Sequence, residues 1–174
     1  AGGNAASVAE HTLGLILAVS RRIVECDRRL RRDAGFGRIE VMGHEIRGKV
    51  LGLVGIGHTG TRVAALAQAF GMSVLAADPY VTEEEVGRRG AQRVSLDELL
   101  ARADFVSLHC PRNAETLGML GARAFGRMKR GAFFVSTARG GIHDEKALLE
   151  ALASGQVGGA GLDVWDVEPP PLEH

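Results

Sequence analysis

The chain has 174 residues, 45% of them apolar, and its 21 basic and 21 acidic side chains cancel to a formal net charge of zero. That is enough apolar material for one domain with its own core, and the charge balance gives no reason to expect nucleic acid or an anionic membrane surface as a partner. No apolar run approaches a spanning length, the first residues do not read as a secretory leader, and Cys26 and Cys110 form no C-x-x-C pair, so a cytoplasmic protein with free thiols and no metal site is expected.

Asn4 and Ser7 precede a long helical pattern in which Ser7 and Glu10 are spaced as a capping box. Val8, Leu13, Ile16, Leu17, Val19 and Ile23 recur on one broad apolar face, and the spacing predicts a helix from about residue 7 to about 31. Its last turns carry Arg21, Arg22, Arg28, Arg29, Arg31 and Arg32. These read either as a nucleic-acid patch or as cations suited to a helix C-terminus; the lack of interleaved aromatics favours the second. The segment from Ala34 to Gly48 is expected to be irregular.

After it the period changes. Lys49–Gly55 reads as a buried strand, Gly57–Gly71 as a helix stopped by glycine, and Ser73–Asp78 as a second strand. A weaker strand near 92–94 leads to a helix capped by Ser95 and Glu98, followed by strands at Asp104–Cys110 and Ala132–Ala138. Asp144 caps a helix of about Glu145–Ser154, and Gly159–Val164 closes the series. Strands alternating with helices imply an α/β fold, a doubly wound parallel sheet in three α/β/α layers of the Rossmann type.

The first strand runs straight into Gly55, Gly57 and Gly60, spaced G-x-G-x-x-G and opening a helix. The first glycine permits a tight turn, the second lets backbone approach a pyrophosphate, and the third lets helix pack on strand. Asp78 ends the second strand 23 positions after Gly55. There it either accepts the hydroxyls of an adenosine ribose, which favours NAD over NADP, or caps the turn with Pro79. Three more strand ends are loaded with polar groups: 108–111, 136–141 and 161–169. Arg139, just beyond a buried strand, either grips a substrate carboxylate bidentately or forms a structural ion pair.

Taken in order, NAASVAEHTLGLILA, GIGHTG with Asp78, LHCPRNAET, STARGGIHDEKAL and GLDVWDVEP resemble the nucleotide-binding domain of the D-2-hydroxyacid dehydrogenases, phosphoglycerate dehydrogenases among them. The resemblance covers essentially the whole chain. It implies that His58 and Thr59 present N–H groups to the NAD pyrophosphate, and that His109, Cys110, Pro111 and Thr116 border the adenosine half. Thr137, Ala138 and Arg139 would face the nicotinamide, with Asp163 near its carboxamide. Arg139 and Glu168 are the implied catalytic residues: the arginine holds the carboxylate of a 2-hydroxy or 2-oxo acid, and the glutamate orients a histidine and raises its pKa. Hydride would pass between nicotinamide and C2 of the acid while that histidine exchanges the proton.

None of the six histidines suits that role well. His11 belongs to the long helix, His44 to the irregular connection, His58 to the phosphate turn and His143 to the Asp144 cap; His109 ends a strand near the adenosine half. His174 follows three prolines that hold the chain extended away from Glu168. The resemblance therefore implies a cofactor domain excised from a longer enzyme, with the substrate-binding domain and catalytic histidine elsewhere, and a homodimer to which the long helix contributes. An NAD-responsive corepressor and a formate or phosphite dehydrogenase are the alternatives the same motifs allow.

Overall fold

The computed structural model describes residues 3–32 and 35–171; His174 lies outside them. Six strands, β1 (Val50–Val54), β2 (Ser73–Ala77), β3 (Gln92–Arg93), β4 (Phe105–Leu108), β5 (Ala132–Ser136) and β6 (Val157–Leu162), form one sheet in the order β3-β2-β1-β4-β5-β6. Every pairing is parallel. Parallel neighbours need crossover connections, so helices cover both faces and the central strands must be apolar on both sides. That is why β4 and β5 are buried at every position. Seven helices make the outer layers: α1 (Ala5–Ser20), α2 (Ile23–Arg32), α3 (His58–Ala69), α4 (Glu83–Arg88), α5 (Leu96–Arg102), α6 (Ala122–Arg127) and α7 (Glu145–Ala153).

The alternation of side chains along each strand sorts the core into two clusters. Leu51, Leu53, Phe105, Phe133 and Val135 pack with Ile16 of α1, Val63 of α3 and Val86 of α4. On the other face Val106, Leu108 and Phe134 pack with Leu99 of α5, Phe125 of α6 and Leu148 of α7. Aromatic contacts join neighbouring strands, with the Phe105 and Phe133 rings stacked at 5.0 Å between centroids. The glycines of β6 let α1 approach closely: a Cβ on Gly161 would stand 3.0 Å from the Leu15 Cβ.

The long N-terminal helix predicted from the sequence is two helices. α1 ends at Ser20, Arg22 adopts a left-handed φ of +55°, and α2 starts at Ile23. The interruption has a tertiary cause. His44 N–H donates to Ser20 O at 2.7 Å, taking an acceptor that a continuous helix would use, and Gly43 presses against the break. A Cβ there would stand 2.6 Å from both Arg21 Cα and Ser20 O. Arg22 is fixed by donating to both Glu25 carboxylate oxygens and to Glu40 O. Arg29 pairs with Glu40 and Arg31 with Asp27, so these three arginines are answered by carboxylates within the chain.

The predicted capping box is also absent. The helix begins at Ala5 with Asn4 at the N-cap, and Ser7 Oγ donates to Asn4 O at 3.1 Å. The other predicted caps form: Ser95 accepts from Glu98 N–H and Asp144 from Ala147 N–H. The sequence reading missed α4 and α6. Each has six residues and one buried side chain, Val86 and Phe125, too few to produce a helical period.

Replacing Gly43 by alanine is expected to force the α1–α2 break apart and destabilise the fold by about 1–3 kcal/mol. Urea unfolding of the two proteins checks this, and equal midpoints would show that the junction relaxes freely.

Candidate functional site

Ladder hydrogen bonds continue one residue past the strands and bring their carboxyl ends to one level. Gly55 N–H donates to Ala77 O (2.9 Å), His109 N–H to Val54 O (2.8 Å) and Asp163 N–H to Ser136 O (3.0 Å). The strand ends and loops after β1, β2, β3, β4 and β5 therefore surround one crevice, at the point where the chain winds from one side of the sheet to the other. Two hollows fill it. One, of about 500 Å³, is lined by Gly55, Gly57, Asp78, Tyr80, Leu96 and Thr116 among others. The second, of about 810 Å³, is lined by Asn4, His58, Thr59, Arg112, Thr137, Ala138 and Arg139. His109, Cys110 and Pro111 line both, so they are two halves of one cleft.

The three glycines divide their tasks as their spacing predicts. Gly55 has φ +92°, and a Cβ on it would stand 2.9 Å from Cys110 N. On Gly60 a Cβ would lie 2.5 Å from Gly55 O, so both positions are closed to any side chain. Gly57 meets nothing within 4 Å; the space over it is open to a ligand. It is also the N-cap of α3 and offers no side-chain cap, which leaves the first N–H groups of a 12-residue helix available to an anion. This open glycine over uncapped donors fits a dinucleotide diphosphate.

Asp78 performs the structural task left open by the sequence, accepting from Ile56 N–H and Tyr80 N–H, each at 3.0 Å. Each carboxylate oxygen keeps a lone pair for another donor. Two supporting contacts escaped the sequence reading because they join residues far apart in the chain. Arg89 Nη1 donates to Ile56 O at 2.6 Å and buttresses the glycine turn from α4, while the Tyr80 hydroxyl bonds Glu115 across the mouth of the smaller hollow. That bond is the main reason the Tyr80 hydroxyl is held above its ordinary pKa.

His109 Nε2 lies 2.9 Å from Ser107 Oγ, and burial pushes its pKa down to about 4. The ring is neutral where the cleft's two halves meet. Burial also raises the Cys110 thiol, making it a wall of the hollow and a poor nucleophile. Thr116 Oγ1 donates to Pro111 O at 2.7 Å and fixes the loop after β4. Thr137 is buried and shares a 2.9 Å hydrogen bond with Thr12 of α1.

Arg139 is exposed, and its Nη1 donates only to Ala138 O, at 2.6 Å. Among the described residues no carboxylate pairs with it, so the structural ion pair is not formed. The segment after β6 is tied to the same turn: Gly141 N–H donates to Asp166 Oδ1 (2.6 Å), Asp166 N–H donates to Glu145, and a Cβ on Gly140 would overlap Trp165 O. Glu168 Oε1 accepts from Trp165 N–H at 3.1 Å, and no described histidine pairs with it. His11 instead faces Asp163, with Nε2 to Oδ1 at 3.5 Å and both side chains about half exposed.

A parallel sheet in this order, with a glycine turn open to an anion and an acceptor at the end of β2, defines a dinucleotide-binding domain of the Rossmann class. Residues 13–174 match the profile described as D-isomer specific 2-hydroxyacid dehydrogenase, NAD binding domain, and the chain belongs to that family. It is 44% identical over 169 residues to the D-3-phosphoglycerate dehydrogenase of Archaeoglobus fulgidus, covering 97% of this chain and 32% of the relative. Over 166 residues it is 47% identical to the same enzyme of Mycobacterium leprae, covering 95% and 31%. The chain thus spans about a third of the length of these relatives. The crystal structure of D-lactate dehydrogenase from Aquifex aeolicus complexed with NAD and lactic acid superposes with a TM-score of 0.86 at 38% identity, over 93% of this chain and 48% of that one.

The half-buried imidazole of His109 sets a pH dependence. Unfolded, His109 takes a proton near its ordinary 6.5; folded, it resists until about 4, so its contribution is complete above 6.5 and is lost as pH falls through about 4. His109→Asn is expected to flatten the stability curve across that window, measured by denaturant unfolding against pH. An unchanged slope would mean that the ring is solvated.

Proposed function

We propose that this chain is the cofactor domain of an NAD-dependent D-2-hydroxyacid dehydrogenase, carrying hydride between nicotinamide and a D-2-hydroxy or 2-oxo acid. The observation that carries this reading is the pairing, in one cleft, of the glycine turn and Asp78 with an arginine that no described carboxylate answers. The first pair suits a dinucleotide and the second an acid. When bound, the nicotinamide supplies or accepts the hydride. Gly55, Gly57, Gly60, His58 and Thr59 receive the diphosphate; Asp78, His109, Cys110, Pro111 and Thr116 border the adenosine; Thr137, Ala138 and Asp163 face the nicotinamide side.

Arg139 holds the substrate carboxylate and stabilises the negative charge that develops on the neighbouring oxygen. Glu168, exposed and already oriented by Trp165 N–H, favours an imidazolium brought against it. That imidazole comes from outside the described residues, and the D-2-hydroxyacid dehydrogenase relatives, about three times as long as this chain, are consistent with such an arrangement. No observation here favours the corepressor or the formate or phosphite reading over this one.

A homodimer in the cytoplasm is part of the same proposal. Val24 and Leu30 of α2 and Met42 beyond it are 51%, 73% and 68% exposed, and Val24 and Met42 border a groove that runs to the outer strand β6. Apolar surface of this kind is suited to a second copy. Among the described residues no helix is long and apolar enough to cross a membrane.

Three measurements test the proposal on the full-length enzyme. Arg139→Gln is expected to lower kcat/KM for a 2-hydroxy acid by about 10²–10³, far more than it weakens NAD binding; retained activity would refute the anchoring role. Asp78→Asn should raise the NADP to NAD preference by about tenfold or more, since removing the charge removes a like-charge clash. Leu30→Glu should shift the mass in light scattering toward the monomer, and an unaffected dimer would move the interface elsewhere.

A further inference from the structure

Arg112 is a cation of the larger hollow that the mechanism leaves unused. It lies on the loop after β4 and lines the larger hollow together with Arg139. Its Nη1 reaches Gly140 O at 3.4 Å, a weak contact for a charged donor. Its stem lies along Gly141, where an added Cβ would stand 3.8 Å from its Cδ. Among the described residues no carboxylate pairs with it. Asp166, the acid that reaches this turn, accepts from Gly141 N–H through Oδ1 and forms no ion pair with Arg112, and no residue lining the larger hollow is acidic. His109, which separates the hollows, is neutral.

Two guanidiniums thus open on one hollow whose lining carries no carboxylate. One monocarboxylate answers one of them. The diphosphate of a dinucleotide is the other anion at hand, but the direction in which Arg112 points argues against it. The glycine turn follows β1 and the anchor Arg139 follows β5, on opposite sides of β4 in the sheet. From the end of β4, Arg112 leans on Gly140 and Gly141 of the β5 turn, away from Gly57.

We infer that Arg112 is a specificity-determining residue that binds a second anionic group, carboxylate or phosphate, on the acid held by Arg139. This rests on the dehydrogenase reading above. Its donors are free because the ligand supplies their partner, and the weak bond to Gly140 O keeps the guanidinium near the anchor without satisfying it. A planar guanidinium accepts either oxyanion bidentately.

The test is steady-state kinetics of the full-length enzyme with D-glycerate, its 3-phosphate ester and D-2-hydroxyglutarate, comparing wild type, Arg112→Gln and Arg112→Lys. The wild type is expected to prefer a doubly anionic acid. Arg112→Gln should raise the KM of that acid by about ten- to a hundredfold, the worth of a lost charge-assisted contact, with kcat, the KM of D-glycerate and the KM of NAD little changed. Arg112→Lys should recover part of the loss. An equal loss on singly and doubly charged acids would overturn the inference, as would a rise in the KM of NAD, which would assign the guanidinium to the diphosphate. A wild type that oxidises no 2-hydroxy acid would overturn the dehydrogenase reading itself, a result distinct from an active enzyme indifferent to Arg112.

Discussion

Gly55 leaves β1 at a φ of +92° with backbone of the β4 turn so close that a Cβ would sit 2.9 Å from Cys110 N, and Gly60 is pressed against Gly55 O. This approach of backbone to backbone is the constraint on which the rest of the cleft depends. It starts α3 at the edge of the crevice with an uncapped N-terminus, and it leaves Gly57 as the one of the three glycines with open space before it. Asp78 and Arg89 then hold Ile56 by its N–H and its carbonyl. The turn is braced from β2 and from α4, so its donors are oriented before any ligand arrives, which lowers the ordering cost of binding.

The same economy appears on the other side of the cleft. The turn after β5 carries Arg139, and the chain after β6 is packed onto it so tightly that Gly140 has no room for a side chain. Asp166 fixes Gly141, and Trp165 N–H fixes Glu168. Arginine and glutamate therefore stand on two loops that behave as one unit, although 29 positions separate them in the chain. Between the two sides, His109 and Cys110 form a neutral wall. Arg112 and Arg139 line the larger half of the cleft, while Asp78, Arg93 and Glu115 border the smaller.

Much of this was legible in the sequence because it rests on local chemistry. Glycine spacing, the carboxylate at the end of β2 and the caps at Ser95 and Asp144 each need only neighbouring residues to be understood. What was misread depended on distant partners. The α1–α2 break is imposed by Gly43 and His44, more than 20 positions beyond Ser20, while the apolar period runs through it undisturbed. The short helices α4 and α6 each bury one side chain, which no periodicity can register. The Arg89 buttress, the Tyr80–Glu115 bond and the His11–Asp163 contact link residues that only the crossovers bring together.

The sequence by itself determined the alternation of strand and helix, the family, and the residue types a dinucleotide and an acid would need, because these are written in short-range order. That Asp78 caps the turn after β2, that Arg139 pairs with no described carboxylate, and that no described histidine pairs with Glu168 were decided only by tertiary structure. The physical reason is the same in each case. A charged group's role follows from what surrounds it in space, and in a parallel sheet the groups that share a cleft come from five separate strand ends.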